Sequence, residues 1–457
     1  MRHIAVIDIG KTNAKLLAID LSTGMERIVA RRPNEVVSSA PYPHFDVEAL
    51  WSFLLAALGE LGRSQQVDAI SITTHGASAA LVDAAGRLAL PVLDYEHPGP
   101  DDLSADYDAQ RPPFSETGAP RLPGGLNLGA QLFWQAQRFP AAFAETRHIL
   151  TYPQYWAFRL TGIAASEATS LGCHTDLWNP FGRSFSSLVE RMGWSALFPP
   201  LHPAGAVLGP ILPDIARTTG LPAATPVLCG IHDSNASLVP WLGRKDPCSV
   251  LSTGTWMIVM SLGGGTVTLD ARRDTLINVN ARGAPVPTAR FMAGREFDEL
   301  TRGQTPAASE ATERMVLASQ VMVLPSLHPT TGPFPGQVAS WTPTEPEDAG
   351  ARVAAASFYV ALMGAACLSL IGAEGEIIVE GPMGGNRAFA RMLATATGRD
   401  VLLAGQGAGT GLGAALLAGP LTAPRAAPER IRPETEPVWK DYAALWQARV
   451  AARQSSS

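Results

Sequence analysis

Residues 3–20, HIAVIDIGKTNAKLLAID, decide the fold of the first half of the chain. Two apolar segments, 3–9 and 15–20, flank the small and polar residues at 10–13. This spacing predicts two antiparallel strands joined by a tight turn. The turn is not a P-loop, because Ala5 stands where that motif has its first glycine and a strand follows where a helix is required.

A second strand–turn–strand pattern, CSVLSTGTWMIVMS at 248–261, opens the other half of the chain. Its turn, 252–255, consists of small and hydroxyl residues. In both turns the backbone N–H groups can converge on an anion, and Lys11 and Thr12 add donors in the first. Two such turns, one at the head of each half, predict that a polyphosphate binds between two domains.

The composition is that of a globular protein with at least two domains, since the chain has 457 residues, 46% of them hydrophobic and 17% charged. The breaker segment 244–247 marks a boundary, so we expect one domain at 1–243 and another at 244–457. The formal net charge of −6 and the short basic runs indicate no nucleic-acid partner. Four cysteines without a C-x-x-C pair indicate neither a disulfide framework nor a zinc site.

One apolar segment, 354–373, is long enough for a membrane helix. Acidic residues flank it on both sides and a short strand-like segment follows, which favours a buried core helix instead. The apolar run before Asp8 is too short for a signal peptide. We therefore expect no membrane partner and a cytoplasmic location.

Two further strand-to-turn transitions carry candidate site residues. The strand 225–229 turns through 230–232 into a helix that begins near Asp233. The strand 376–379 is followed by Gly384-Gly385-Asn386 and a helix, and the missing side chains there would let a flat base or ribose approach the backbone. The proline-rich segment 98–123 is predicted as loop.

The order and spacing of these motifs resemble those of the FGGY carbohydrate kinases, members of the actin-like ATPase superfamily, over nearly the whole chain. The motifs are Asp8-Ile9-Gly10-Lys11-Thr12-Asn13-Ala14-Lys15, Thr73-Thr74-His75-Gly76, Leu160-Thr161-Gly162 with the following 167–170, Gly230-Ile231-His232-Asp233, Ser252-Thr253-Gly254-Thr255-Trp256 and, on the adenosine side, Gly384-Gly385-Asn386 with Gly411-Leu412-Gly413-Ala414-Ala415. The resemblance implies an α/β fold of two actin-like (ribonuclease H-like) ATPase domains, each with a mixed sheet flanked by helices, and a cleft between them. It also implies an enzyme that uses ATP and Mg²⁺ to phosphorylate a small-molecule ketose at a terminal hydroxyl.

The resemblance further implies roles for individual residues. Asp233 matches the catalytic base that takes the proton of the sugar hydroxyl, and its place at a helix start suits that role because the helix dipole favours a carboxylate. Asp8 matches the carboxylate that holds Mg²⁺, and Asp233 is the second expected metal residue. The nucleotide would contact Gly10, Lys11, Thr12, Asn13, Lys15, Thr253, Gly254, Thr255, Gly384, Gly385 and Asn386, and the sugar would contact Thr74, His75, Gly76, Glu96, His232 and Asp233.

Two departures from the family leave alternatives open. Lys11 stands where many members have threonine, and it either binds the γ-phosphate or pairs with Asp8. The segment 93–97 stands where the family often has Trp and Asp near the sugar, so its alignment is uncertain by one residue. The sequence around 72–82 and 254–256 is closer to the kinases of L-fuculose and L-rhamnulose than to glycerol kinase, which favours a deoxyhexulose or a pentulose as substrate.

Two other classes of function compete with a kinase. A glycoside hydrolase would use a carboxylate pair such as Asp233 and Glu380, but its mechanism does not call for two anion-type turns. A non-catalytic sugar or nucleotide sensor could have the same fold, although the presence of both Asp8 and Asp233 argues against it. The oligomeric state is left open between a monomer and a homodimer.

Overall fold

The computed structural model describes residues 1–304, 308–404, 409–422 and 427–454. The strands are β1 His3–Ile9, β2 Asn13–Asp20, β3 Met25–Pro33, β4 Val36–Val37, β5 His44–Phe45, β6 Ala69–Thr74, β7 Ala79–Val82, β8 Leu88–Leu90, β9 His148–Thr151, β10 Trp178–Asn179, β11 Ser184–Phe185, β12 Val207–Pro210, β13 Pro226–Leu228, β14 Ile231–His232, β15 Cys248–Thr253, β16 Met257–Leu262, β17 Thr275–Val279, β18 Pro285–Phe291, β19 Met322–Leu324, β20 Ser340–Thr342, β21 Glu376–Glu380, β22 Val401–Leu403 and β23 Glu429–Ile431. The helices are α1 Val47–Ser64, α2 Ser104–Asp108, α3 Phe114–Thr117, α4 Leu128–Arg138, α5 Pro140–Ala144, α6 Tyr152–Thr161, α7 Ala168–Leu171, α8 Ser187–Arg191, α9 Pro213–Thr219, α10 Asp233–Ala236, α11 Ala293–Thr301, α12 Glu310–Ser319, α13 Ala349–Leu370, α14 Arg387–Thr397, α15 Thr410–Leu416 and α16 Pro437–Gln454. Short 3₁₀ segments lie at Gly99–Leu103, Ser195–Leu197, Val239–Trp241, Ala271–Arg273 and Pro382–Gly385.

The chain folds into two compact units. The first comprises Met1–Trp241, Ile277–Pro285 and Gly409–Arg425, and the second comprises Leu242–Leu276, Val286–Ala408 and Ala426–Ser457. The first break therefore lies two residues before the expected boundary at 243/244. The expected assignment of all of 244–457 to one domain differs from these units, because two later segments return to the first.

The sheet of the first unit is mixed, with the order β12-β13-β6-β1-β2-β3. Strands β1, β2 and β3 form an antiparallel meander, as predicted, while β6 and β13 run parallel to β1. Strand β14 also pairs with β6 in parallel. Helix α1 covers this sheet and is capped by Asp46, whose side chain accepts a hydrogen bond from the N–H of Ala49 at 3.0 Å.

The sheet that contains β15 has seven strands in the order β17-β18-β16-β15-β21-β22-β23, and its last six strands repeat this topology. Strands β15, β16 and β18 form the antiparallel meander, β21 and β22 run parallel to β15, and β23 closes the edge antiparallel to β22. In both units the anion-type turn follows the central strand of the sheet. The short sequence echo at 248–261 therefore reflects a repeated architecture.

Helix α13 is the core helix of the second unit. It meets the length and hydropathy criteria of a membrane span, but 78% of its most apolar 18-residue window is buried inside the protein. Side chains on all its faces are buried, including Phe358, Tyr359 and Met363, and helices α11, α12 and α14 pack against it. A helix that is apolar all round fits such a central position, as predicted for this segment.

Helix α15 returns to the first unit because of its small residues. Gly413 lies against the backbone of Ala236 in α10, where any Cβ would overlap the Ala236 carbonyl oxygen. Ser71 Oγ in β6 donates a hydrogen bond to the carbonyl of Ala414 at 2.7 Å. The motif 411–415, expected beside the adenosine, is therefore part of the packing beneath the first sheet.

Candidate functional site

Three parallel strand ends lie side by side in the first unit. In the register of the sheet, Ile9 of β1 is level with Thr74 of β6, and Thr74 is level with His232 of β14. The carboxyl ends of parallel strands form the usual ligand-binding edge of such sheets. Asp8 and Asp233 border two of these ends, so this edge brings together the two predicted catalytic and metal carboxylates.

Asp8 pairs with Lys15 across the first hairpin. The two residues are opposite each other in the antiparallel register of β1 and β2, and Lys15 Nζ lies 3.7 Å from Asp8 Oδ2. Burial raises the pKa of Asp8 to about 6, against the lowering effect of the Lys15 ammonium, and the charge of Asp233 raises it further. The two carboxylates are therefore within electrostatic reach of each other.

Asp233 opens helix α10 at the mouth of this edge. The backbone N–H of Ser234 donates a hydrogen bond to Asp233 Oδ1 at 2.6 Å, which fixes one oxygen of the carboxylate. Burial raises the pKa of Asp233 to about 6, and the hydrogen bonds from Ser234 oppose that rise. Because the side chain keeps 29% of its surface exposed, the second oxygen can receive a proton from an incoming hydroxyl.

His232 lies behind Asp233 and is almost fully buried, at 4% exposure. Its Nε2 lies 3.1 Å from Asp233 Oδ1 and 3.6 Å from Cys173 Sγ, and its Nδ1 lies 2.9 Å from Asn235 Nδ2. Burial lowers the pKa of His232 to about 4, so the ring is neutral at pH 7. Both ring nitrogens therefore have protein groups as neighbours, and this arrangement suits a role of His232 in positioning Asp233. The predicted contact of His232 with the sugar stays a prediction.

His75 is enclosed by aromatic rings. Its ring centroid lies 5.1 Å from that of Phe45, 5.0 Å from Tyr152 and 5.5 Å from Tyr95. Its Nδ1 lies 2.8 Å from the carbonyl oxygen of Gly76, whereas no described residue forms a hydrogen bond with the buried Nε2. Burial lowers the pKa of His75 to about 4. The result is a neutral imidazole whose Nε2 is buried without a hydrogen-bond partner among the described residues.

The other predicted sugar residues have different environments. Thr74 is fully buried, and its hydroxyl donates a hydrogen bond to the carbonyl of His75 at 2.9 Å, so it shapes the strand end. Gly76 follows His75 in the bend after β6 and supplies the carbonyl that faces the imidazole. Glu96 exposes 67% of its side chain. The structure therefore brings His75, and not the hydroxyl of Thr74, to the strand end as a donor or acceptor.

Lys11 forms an ion pair that the sequence did not suggest. Its ammonium contacts the carboxylate of Asp94, lies 3.5 Å from Glu96 Oε2, and sits over the rings of Phe45 and Tyr95 at 5.0 and 4.7 Å. The sequence left open whether Lys11 binds the γ-phosphate or pairs with Asp8, and the structure pairs it with Asp94 instead of Asp8. The first anion-type turn is instead tied to the 94–96 segment beside His75.

The rest of the first turn is held by its own polar groups. The N–H of Gly10 donates to the carbonyl of Asn13 at 2.9 Å and closes the hairpin. Asn13 Nδ2 donates to Thr12 Oγ1 at 2.9 Å, and Arg31 Nε donates to Asn13 Oδ1 at 3.0 Å. Thr12 is exposed at the tip. Both lysines of the motif are therefore paired with carboxylates, while the tip presents backbone and hydroxyl groups.

The second turn is held by the hydroxyl of Thr253. Thr253 Oγ1 donates to the carbonyl of Glu380 at 2.5 Å and accepts from the N–H of Met383 at 3.1 Å. These bonds join the end of β15 to the segment after β21. Gly254 and Thr255 remain as the exposed part of the turn. The Thr253 side chain is thus committed to structure, so a phosphate at this turn would meet the residues that follow it.

A cavity of about 1190 Å³ lies beside this turn, within the second unit. It is large enough for a nucleotide, since typical ligand pockets measure about 300–1,000 Å³. The lining includes three predicted nucleotide residues of the turn, two predicted residues of the 384–386 motif, and the exposed face of α11, namely Thr253, Gly254, Thr255, Gly385, Asn386, Gly294, Arg295, Phe297, Asp298 and Glu299.

The 384–386 motif contributes to this cavity unequally. Gly385 and Asn386 line it, whereas Gly384 is buried beneath the surface. Asn386 is also the cap of α14, because its Oδ1 accepts from the N–H of Phe389 at 3.0 Å, and its Nδ2 donates to Ser357 Oγ at 2.9 Å. The side chain of Asn386 therefore shapes the wall, and the backbone near Gly385 is what a flat base could approach.

Sequence patterns did not point to several residues of these two sites. Asp94 lies 83 positions from its partner Lys11, and Arg295 reaches the second turn from helix α11. The rings of Phe45 and Tyr152 around His75 come from β5 and α6. Gly294 is the sequence signal for the place of Arg295, because a helix needs glycine where it starts against another backbone. A single glycine does not say which backbone that is.

Two copies of a mixed sheet, each opening with a three-stranded meander, form the architecture of the actin-like ATPase fold. A xylulose kinase from Lactobacillus acidophilus shares this fold, with a TM-score of 0.81 and 16% identity over 100% of this chain and 99% of that chain. The expected two-domain α/β class is therefore confirmed.

The chain belongs to the FGGY family of carbohydrate kinases, as the sequence resemblance predicted: residues 3–240 match the N-terminal domain of that family and residues 245–428 match the FGGY carbohydrate kinase C-terminal domain. A carbohydrate kinase from Novosphingobium aromaticivorans is 39% identical, with a TM-score of 0.90 over 99% of both chains. An L-fuculokinase from Salmonella typhi is 29% identical over 275 residues. That match covers 57% of either protein, so the chain spans little more than half the length of this relative.

Proposed function

We propose that this protein is an ATP-dependent kinase that phosphorylates a terminal hydroxyl of a ketose, with a deoxyhexulose of the L-fuculose or L-rhamnulose type or a pentulose as substrate. The observation that carries the proposal is the meeting of Asp8 and Asp233 at one edge of the first sheet, with the imidazole of His75 at the neighbouring strand end. The L-fuculokinase relative supports the substrate class.

In the proposed reaction Asp233 acts as the base. Its exposed carboxylate oxygen accepts the proton of the sugar hydroxyl while the hydroxyl oxygen bonds to the γ-phosphorus and the bond to the leaving ADP oxygen breaks. Ser234 and the neutral His232 hold the other oxygen of Asp233. His75 would orient the sugar through its Nε2. Thr74, Gly76 and Glu96 would complete the sugar site.

A magnesium ion fits the carboxylates of the first unit. Mg²⁺ is commonly held by one or two carboxylates together with water and phosphate oxygens, and Asp8 and Asp233 provide such a pair. Burial raises the pKa of each to about 6, and a bound cation would favour their charged forms. Within the described residues no group of three or more His, Cys, Asp or Glu could hold a metal alone. The ion would neutralise phosphate charge when bound.

The nucleotide would occupy the cavity of the second unit. Gly254 and Thr255 would face its phosphates, and the backbone around Gly385 would face its base or ribose. We also propose that Gly10, Thr12, Asn13 and Lys15 contact phosphate at the first turn. On this view the segments 1–243 and 244–457 are the sugar and nucleotide domains.

The competing functions gain no support. Glu380, the proposed hydrolase partner of Asp233, is 3% exposed at the end of β21, which leaves no access for a glycoside. A non-catalytic sensor would not need the raised pKa of two adjacent carboxylates. We further propose a cytoplasmic enzyme and a small-molecule substrate, with the homodimer to be tested by solution mass measurement.

The proposal is tested by coupled ADP release with purified protein. The panel is L-fuculose, L-rhamnulose, D- and L-xylulose, D- and L-ribulose, D-fructose and glycerol, ranked by kcat/KM. We expect one or two ketoses to exceed glycerol by orders of magnitude. ATP binding without turnover on any sugar would contradict the proposed kinase activity and favour the non-catalytic sensor.

A further inference from the structure

Among the residues that the structure describes, one cationic side chain of the second unit's cavity has no partner in the protein. The guanidinium of Arg295 lines the cavity and is exposed, and no described residue forms a hydrogen bond or an ion pair with it. The other arginine of the lining, Arg387, is paired with Glu429 at 2.8 Å. Among the described lining residues, Arg295 is thus the positive charge available to a ligand.

Helix α11 brings Arg295 next to the second anion-type turn. The N–H of Gly294 donates to the carbonyl of Thr255 at 3.2 Å. A Cβ on Gly294 would overlap the carbonyl oxygen of Gly254, so glycine is what lets the helix start against this backbone. Arg295 is the next residue. Its guanidinium therefore projects from the point where helix and turn are in contact.

The charges around the cavity are distributed unevenly along α11. Arg295 lies at the end near the turn, whereas Asp298 and Glu299 follow about one helical turn, or roughly 5 Å, further along. A phosphate at the far end would meet carboxylates, and a phosphate at the near end would meet a guanidinium. Carboxylates accept hydrogen bonds from ribose hydroxyls or a base amine. The polarity therefore orients a nucleotide with its phosphates towards the turn.

The turn itself contains no charge to offset a polyphosphate. Residues 252–255 are Ser, Thr, Gly and Thr, and the hydroxyl of Thr253 already bonds to Glu380 and Met383. A guanidinium binds phosphate oxygens through two parallel N–H groups, which hydroxyls cannot replace. A cationic side chain from outside the turn is therefore needed at this end of the cavity.

We propose that Arg295 binds the phosphates of the nucleotide and makes this cavity selective for nucleoside di- and triphosphates over the nucleoside. The inference rests on the proposed function, which places the nucleotide here. It assigns the role to a residue outside the turn motifs, on the helix beside them.

The test compares Arg295→Gln with the wild-type protein in titration calorimetry with ATP, ADP, AMP and adenosine. Loss of a charge-assisted contact is expected to weaken ATP and ADP binding by about 10-fold or more. Adenosine should bind equally to both proteins, and the ATP affinity of the variant should depend less on salt. Arg295→Lys should recover part of the loss.

The matched control is Arg302→Gln, which changes an arginine at the opposite end of the same helix that pairs with Glu345 at 2.7 Å outside the cavity. It should bind all four ligands as the wild type does. Equal ATP affinity of wild type and Arg295→Gln, or an equal loss for adenosine, would overturn the role of Arg295. A wild type that binds no ATP would instead overturn the proposed function.

Discussion

The two anion-type turns look alike in sequence and topology but handle charge in opposite ways. In the first unit both cations of the motif are already paired, Lys15 with Asp8 and Lys11 with Asp94. In the second unit the turn is uncharged, and Arg295, which has no ion-pair partner in the described part of the chain, lies on the helix beside it. The same strand–turn–strand element can therefore present carboxylates or receive phosphates, depending on what the neighbouring elements supply.

This difference suggests a division of labour. A turn whose lysines pair with carboxylates has little positive charge left to attract a polyphosphate, and Asp8 lies there within electrostatic reach of Asp233. A turn beside a free guanidinium attracts the polyphosphate. Substitutions in the two units test this difference between the turns.

Asp233→Asn should abolish most sugar-dependent turnover and leave nucleotide binding intact. A general base contributes about 10²- to 10⁴-fold, so kcat should fall by that factor in the ADP-release assay. The Ser234 N–H can still donate to the asparagine oxygen, so the fold is expected to persist. ATP affinity, measured by calorimetry, should match the wild type because the cavity lies in the second unit. Full activity of the variant would remove Asp233 from the role of base.

Lys11→Met should act on the sugar side and on stability. It leaves the Asp94 carboxylate, 7% exposed, without its ammonium partner, which costs about 1–3 kcal/mol. We expect a lower thermal midpoint and a higher KM for the sugar, with the ATP affinity unchanged. The double variant Lys11→Met/Asp94→Asn should regain stability. If Lys11→Met weakens ATP and not sugar, Lys11 serves the phosphate and the contrast between the turns fails.

Thr253→Val should be more damaging than Thr12→Val. The first change removes a hydroxyl that bonds to the Glu380 carbonyl and the Met383 N–H inside the protein, at a cost of about 1–2 kcal/mol. The second removes an exposed hydroxyl bonded to Asn13, with a cost under about 0.5 kcal/mol. Thermal midpoints of the two variants give the comparison. Equal midpoints would show that the two turns are held together in the same way.

Local patterns predicted a large part of the fold. The meander at 3–20, the helix after Asp46 and the apolar helix α13 follow from residue periodicity and caps, which act over a few residues. The 98–123 segment was predicted as loop, but it contains a 3₁₀ segment and two short helices. Tertiary contacts stabilise such short elements, so propensity alone does not predict them.

The sequence predicts those residues of the candidate site that lie in short motifs. It does not predict those that come together from segments far apart in the chain. The carboxylates Asp8 and Asp233 follow from motifs at strand ends. The partner of Lys11 and the place of Arg295 depend on packing between segments far apart in sequence. The return of α15 to the first unit depends likewise on the close approach of Gly413 to Ala236. Each of these is a pairwise contact that no single-residue pattern encodes.

The anchor of the helix that carries Arg295 is expected to depend on pH. Its neighbour Glu296 is fully buried, and Tyr359 of α13 donates a hydrogen bond to Glu296 Oε2 at 2.6 Å. Burial raises the pKa of Glu296 to about 7 from an ordinary 4.5. Between these two values the folded state holds a proton that the unfolded state has released. The free energy of unfolding must therefore fall as pH rises through this window.

Glu296→Gln mimics the protonated acid and should remove this slope. From pH 5 to pH 8 the stability of the wild type relative to the variant should decline by about 2–3 kcal/mol, seen as diverging thermal midpoints. Glu299→Gln, which changes a glutamate with a 49% exposed side chain on the same helix, should follow the wild type. Parallel curves for wild type and Glu296→Gln would mean that Glu296 is ionised in the fold. In that case a buried, neutral carboxyl group at Glu296 would not be what anchors α11, and with it Arg295, beside the second turn.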